Sequence, residues 1–148
     1  MLARLTHGTI RLLDRLTAAV LAPDDQPEHQ RTGRRGEEEA YFFLRKIGYV
    51  MVARNYRSPR RRGEIDLIAW DKDVLCFIEV KTRTSHQVKP AEAAVDRDKQ
   101  YDLCGVAREY VRRLPPDVPQ RFDVVSVYYE KSPAPPRIEL FKNAFPLA

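Results

Sequence analysis

Residues 63–83 read GEIDLIAWDKDVLCFIEVKTR, and the fold turns on them. Two apolar runs, Glu64–Trp70 and Val74–Lys81, flank the short turn Asp71–Asp73. Runs of this length and β-rich composition around a tight turn predict an antiparallel hairpin. Both runs are apolar enough for the middle of a sheet, yet each carries an acid. Asp66 lies in the first and Glu79 in the second, with Lys81 two residues beyond Glu79. Side chains alternate between faces along a strand, so Asp66 falls with Ile68 and Trp70, and Glu79 and Lys81 fall with Leu75 and Phe77. A carboxylate aimed at a covered face needs a partner, because burying it alone is costly.

Upstream, Arg35–Ile47 has a helical pattern, with Ala40, Tyr41, Leu44 and Ile47 on one stripe and Gly48 as its stop. Of its three consecutive acids, Glu37 points within roughly 20° of Leu44, inside that stripe. Glu38 and Glu39 point away and suit the positive end of the helix. Tyr49–Asn55 predicts a short strand. Downstream, residues 90–114 predict a second helix whose stripe is Leu103, Val106, Ala107, Tyr110 and Leu114, with Lys99 and Asp96 one and two turns earlier on the same face. Pro115, Pro116 and Pro119 end it. Phe122–Tyr129 predicts a fourth strand and Ile138–Phe141 a short last one. Helix, three strands, helix and strand predict an α/β fold with a central mixed sheet flanked by helices.

The chain divides into three segments on this reading. Residues 1–22 form an amphipathic helix, with Leu2, Leu5, Leu12, Leu16, Ala19 and Val20 interleaved with Arg4, Arg11 and Arg15. Residues 23–33, rich in Pro, Asp, Gln and charge, form a linker. Residues 34–148 form the domain proper.

At 148 residues, 43% of them apolar, the chain can bury one ordinary core. No apolar run approaches the roughly 18 residues of a membrane span. Two cysteines are too few for a disulfide framework, which points to a reducing, cytoplasmic setting. His7, His29 and His86 make no zinc spacing with them, and neither a P-loop nor a dinucleotide fingerprint is present. The net charge of +5 favours polyanions, since Lys and Arg release counterions when they neutralise phosphates. Arg54, Arg57, Arg60, Arg61 and Arg62 sit in one short stretch beside Tyr56, which reads either as a nucleic-acid-facing loop or as a solvated turn.

Two carboxylates on neighbouring strands and a third from a helix suit a hard divalent cation such as Mg²⁺, which keeps several of its waters. A lysine beside such a ligand can orient a water or stabilise charge developing on phosphate. The bland alternative for Glu79 and Lys81 is an ordinary ion pair near a strand end. Asp66 followed by Glu79-Val80-Lys81 resembles the PD-(D/E)xK signature of restriction-endonuclease-like nucleases, with Ile65 where the signature has proline.

Several ordered blocks resemble the bacterial YraN family of endonuclease-like proteins more closely. They are Gly36-Glu37 with Ala40, Leu44 and Gly48-Tyr49; Ala53–Arg57; Gly63–Ala69; Phe77–Arg83; Arg121–Val125; and Asn143–Phe145. That family is similar to the archaeal Holliday-junction resolvases. The resemblance implies a metal-dependent DNA endonuclease acting at branched or four-way junctions, and a homodimer. Glu37, Asp66 and Glu79 would hold Mg²⁺ or Mn²⁺, and Lys81 would complete the catalytic set. Arg54, Arg57, Arg60, Arg61 and Arg62, together with Arg83 and Lys99, would hold the DNA. Glu64 would be a further ligand or an arginine partner, and Asp123 a structural partner of Arg54 or Arg57. Two other readings stand beside this one: a non-catalytic nucleic-acid-binding module retaining the nuclease fold, and an adaptor that recruits a partner through its N-terminal helix.

Overall fold

A computed structural model describes residues 27–84, 95–130 and 134–147. The amphipathic stretch 1–22 and residues 85–94, where the second helix was expected to begin, lie outside the described residues. The elements run α1 (Glu28–Lys46), β1 (Val50–Arg57), β2 (Glu64–Asp71), β3 (Val74–Thr84), α2 (Arg97–Val111), β4 (Gln120–Tyr129) and β5 (Arg137–Phe145). The first helix thus starts at Glu28, so Glu28–Gly33, read as linker, are helical. Glu28 in its first turn and Arg45 and Lys46 in its last suit the helix dipole and favour this longer helix. Helix α2 opens at Asp96, whose carboxylate accepts the Lys99 N–H at 2.8 Å. No described helix is long and apolar enough to cross a membrane.

The five strands form one mixed sheet in sequence order, β1 to β5. The expected hairpin is there: β2 and β3 pair antiparallel from Asp71↔Val74 to Leu67↔Ile78. Lys72 in the connecting turn takes a φ of 55°. Strands β3 and β4 are parallel, as a crossover through α2 permits. The last strand is longer than expected and pairs antiparallel with β4.

Each helix covers its own face. Ala40 and Leu44 of α1 pack on Leu67, Ala69, Cys76, Ile78, Val80, Val125 and Val127. Leu103, Val106 and Ala107 of α2 pack on Ile65, Ile68, Phe77, Phe122 and Val124. Covered on both sides, β3 is buried without a break from Leu75 to Val80.

Helix α1 meets β3 closely at Gly36. A Cβ on Gly36 would overlap Thr82 Oγ1 and lie 3.1 Å from Thr82 Cβ. Gly36→Ala should therefore push α1 off the sheet and cost about 1–3 kcal/mol, the usual penalty for overpacking. Thr82→Ala in the same chain should restore most of the loss in a urea titration. Equal stability of Gly36→Ala and wild type would show that the close approach is not required.

A second buried feature lies on β4. Asp123 is fully buried. Its partner is Arg121 (Nε to Oδ1 at 2.8 Å), not Arg54 or Arg57 as expected from the sequence. Arg121 Nη2 also donates to Asp71 Oδ2 at 2.7 Å and to the Tyr49 hydroxyl at 3.0 Å. Lys142 Nζ reaches Asp71 at 2.8 Å, and the Asn143 N–H donates to Asp123 at 3.0 Å. The network ties β2, β4, β5 and the start of β1 together. Hydrogen bonds from Arg121 and Lys142 hold the Asp71 carboxyl down at about 2.

Candidate metal and phosphodiester site

The site arises where the central hairpin comes apart. The β2–β3 ladder ends at Leu67↔Ile78. Beyond it β2 continues on β1 to Glu64↔Arg57, while β3 continues on β4 to Thr84↔Tyr129. Asp66 and Glu79 are the first residues past the end of the ladder, one on each arm of the fork. Asp66 Oδ2 accepts the Val80 N–H at 2.8 Å, so the side chain replaces the strand bond lost there.

Glu79 is 3% exposed. Its Oε1 takes two ammonium groups, Lys81 Nζ at 3.2 Å from its own strand and Lys99 Nζ from α2. Its Oε2 is buried with no hydrogen-bond partner. Leaving a buried carboxylate oxygen without a donor costs about 1–3 kcal/mol or more. Asp66 shows the complementary strain: burial, then the charges of Glu79 and Glu37, push its carboxyl up to about 8, against the pull of the Val80 N–H and Lys99. Burial would lower Lys99, but Glu79 outweighs it and holds the ammonium above its ordinary value. Asp66 thus responds to groups on both helices, because the fork opens the sheet between its two faces.

Glu37 stands one residue past the Gly36 contact and acts on Asp66 through charge. Its own Oε2 accepts Asn55 Nδ2 at 3.1 Å, and the same amide donates to Glu64 Oε1 at 3.0 Å. Arg57 Nε holds the other oxygen of Glu64 at 2.5 Å, so Glu64 is an arginine partner. The structure therefore brings Asp66, Glu79, Lys81 and Lys99 together and leaves Glu37 beside them, tied to Asn55. Among the described residues no three Asp, Glu, His or Cys side chains already form a cation cage. A cleft of about 580 Å³ adjoins the fork, lined in part by Glu37, Val80, Thr82, Thr84 and His29.

The expected nucleic-acid residues separate. Arg54 and Arg57 belong to β1 and not to the loop; Arg54 lies 4.7 Å over the Tyr41 ring. Arg60 approaches Glu109 at 3.8 Å. Arg61 and Arg62 are exposed. Arg83, on the β3 arm, has a buried Nε with no hydrogen-bond partner. Lys99 belongs to the carboxylate cluster. Asn55 went unnoticed in the sequence; its signal was a polar residue inside a strand, and it takes a left-handed φ of 48° opposite the fork.

A family model described as "Uncharacterised protein family UPF0102" matches residues 36–127, from the Gly36 contact to β4. The chain belongs to the UPF0102 family. This is the YraN-like group that the sequence blocks resemble. It is similar to a UPF0102 protein of Koribacter versatilis, 52% identical over 97% of this chain and 96% of the relative. A UPF0102 protein of Solibacter usitatus is 48% identical over 76% of this chain and 84% of its own. One from Porphyromonas gingivalis is 42% identical over 81% and 87%. The UPF0102 match takes in Gly36, Glu37, the whole fork, Lys99 and the Arg121–Asp123 pair. The Koribacter match reaches further, into the N-terminal stretch that the family model leaves out.

Proposed function

We propose that this UPF0102 protein is a divalent-metal-dependent endonuclease of the restriction-endonuclease-like kind, cutting DNA phosphodiesters at branched or four-way structures. The observation that carries the reading is Glu79 Oε2, a buried carboxylate oxygen with no donor, across the fork from a carboxyl whose ionisation is opposed by burial and then by neighbouring like charge. Both costs disappear when a cation replaces the missing proton and donor. Glu79 Oε2 and Asp66 Oδ1 fit a hard cation, whose remaining positions are left to water and phosphate. Glu37 fits as a ligand through water. When bound, Mg²⁺ or Mn²⁺ supplies a more acidic water and neutralises the scissile phosphate.

The chain's own groups do the rest. Asp66, held by the Val80 N–H, keeps one oxygen fixed toward the site. Lys81 Nζ, now on Glu79, is placed to hold the attacking water or the charge that develops on phosphate. Lys99 and Arg83 supply positive charge on either side for the backbone of the strand being cut. The arginines of β1 and of the loop after it grip phosphates by charge, which reads DNA shape more than sequence.

Cleavage of a labelled panel (four-way junction, flap, single strand, duplex) in Mg²⁺, Mn²⁺ or EDTA tests the proposal. Cutting should require metal, favour the branched lanes, and fall on the order of 10²–10³-fold in Lys81→Met, the usual loss of one transition-state contact. Binding without cutting in every lane would replace the nuclease with a nucleic-acid-binding module.

A further inference from the structure

Helix α2 carries a second cationic surface, away from the carboxylate fork. At 3.6 residues per turn, Arg97 and Arg108 fall within about 20° of each other, with Tyr101 about 40° from Arg97. Asp98, Asp102 and Glu109 gather about 100–140° further round, on another flank. Arg61, from the loop between β1 and β2, joins the basic stripe. Its Cδ lies 3.5 Å from where a side chain on Gly105 would begin, so the bare helix backbone seats it. Arg61, Arg97, Arg108, Tyr101, Gly105 and Gln100 line a cavity of about 280 Å³. None of the three arginines pairs with a carboxylate among the described residues, whereas Arg57 and Arg60 each do. Tyr101 is 74% exposed at the edge of the cavity, the most exposed of the large apolar side chains described.

Three unneutralised guanidinium groups around one concavity select a ligand with several negative charges. An aromatic ring standing open beside them adds a flat face. Single-stranded nucleic acid offers both, phosphates at regular spacing and unpaired bases that stack on aromatic side chains. Duplex hides its base faces, and an acidic peptide has none. We infer that this α2 surface is a subsite for an unpaired strand of DNA, with Tyr101 stacking on a base and Arg61, Arg97 and Arg108 holding its phosphates. The subsite rests on the nucleic-acid half of the proposed function and not on cleavage. It assigns the substrate a single-stranded arm held on α2, the helix that also carries Lys99.

The test is fluorescence anisotropy in EDTA with the full chain, using labelled oligothymidine and an abasic strand of equal length and charge. Wild type should bind the thymidine strand about tenfold tighter, within the range that one base–aromatic stack supplies. Tyr101→Ala should erase that preference and Tyr101→Phe should keep it. Arg97→Ala with Arg108→Ala should weaken both strands and reduce the salt slope by about 1.4, the share of two phosphate contacts on a single strand. All three substituted side chains are exposed, and an unchanged melting midpoint for each variant confirms that folding is untouched. Equal affinity for the two strands, or a polyglutamate peptide competing as well as oligothymidine, would overturn the subsite. Because no cutting is involved, loss of the base preference with cleavage intact removes the subsite alone. A preserved preference with no cleavage in any lane removes only the nuclease.

Discussion

Asp66→Asn should abolish metal-dependent cleavage while making the metal-free protein more stable at pH 8. The Asp66 carboxyl ionises near 8 in the folded chain, against 3.8 for the free group. Between those values the native state keeps a proton that the unfolded chain has lost, so the contribution of Asp66 to stability is greatest below about pH 4 and declines as pH rises toward 8. Asparagine cannot ionise, and its amide oxygen still accepts the Val80 N–H. The variant should therefore lose the decline and gain about 1–3 kcal/mol at pH 8, a conservative share of the shift at 1.36 kcal/mol per unit. Metal should act in the opposite sense. Mg²⁺ at 100 times its dissociation constant should add about 2.7 kcal/mol to wild type and little to the variant. Melts of both chains at pH 5 and pH 8, with Mg²⁺ or EDTA, read both effects. A wild type blind to Mg²⁺, together with an Asp66→Asn chain less stable than it, would show that the fork is an internal ion-pair cluster and not a cation site.

The largest loss of stability is expected from Arg121→Met. Asp123 has no access to water, and Asp71 is largely covered. Removing the guanidinium leaves Asp123 with the Asn143 N–H and a long contact to the Tyr49 hydroxyl at 3.4 Å. Breaking a buried pair from one side costs about 3–5 kcal/mol, which for a chain of this size lowers the melting midpoint by about 10–15 °C. Acid adds a second signature. Asp71 titrates near 2, so its share of the stability is present above about pH 4 and is lost as pH falls toward 2. The gap between Arg121→Met and wild type should accordingly narrow between pH 4 and pH 2. Urea titrations across that window check both points, and a loss under about 1 kcal/mol at pH 7 would mean that the pair is dispensable.

Much of the fold was legible because period and punctuation agreed. The turn at Asp71–Asp73 and the unbroken apolar run after it leave one arrangement for β2 and β3, and the prolines after Leu114 leave α2 nowhere to go. Strand alternation also put Glu79 and Lys81 on one face, where they meet at 3.2 Å. The helix phase singled out Glu37 from its neighbours. Local pattern carries no information about what lies across the sheet, and the departures follow from that. Asp123 found Arg121 two residues away on its own strand, and what the letters could not show is that Arg121 also reaches Asp71 across the sheet. Asn55 sits where β1 faces the fork, and its left-handed backbone cannot be read from neighbouring letters. The start of α1 was placed seven residues late because charge and proline composition suggested a linker, while Glu28–Gly33 propagate a helix already anchored on the sheet. The freedom of Glu79 Oε2 is likewise a tertiary fact: it depends on where β2 leaves β3.

Both outer strands carry the same defect. In β1 the register slips between Met51 and Ala53, and Asn55 turns left-handed. In β5 Asn143 does so at a φ of 53°, opposite the slip at Phe122 and Val124. An open sheet edge is a template for another strand, and bulges twist it out of register with any straight partner. Val50 and Val52 stand exposed on β1, at 63% and 44%, and on a regular strand they would invite such growth. With the kinks in place, a neighbouring strand meets edges that it cannot zip along their whole length, and Asn55 and Asn143 guard the two open sides of the sheet.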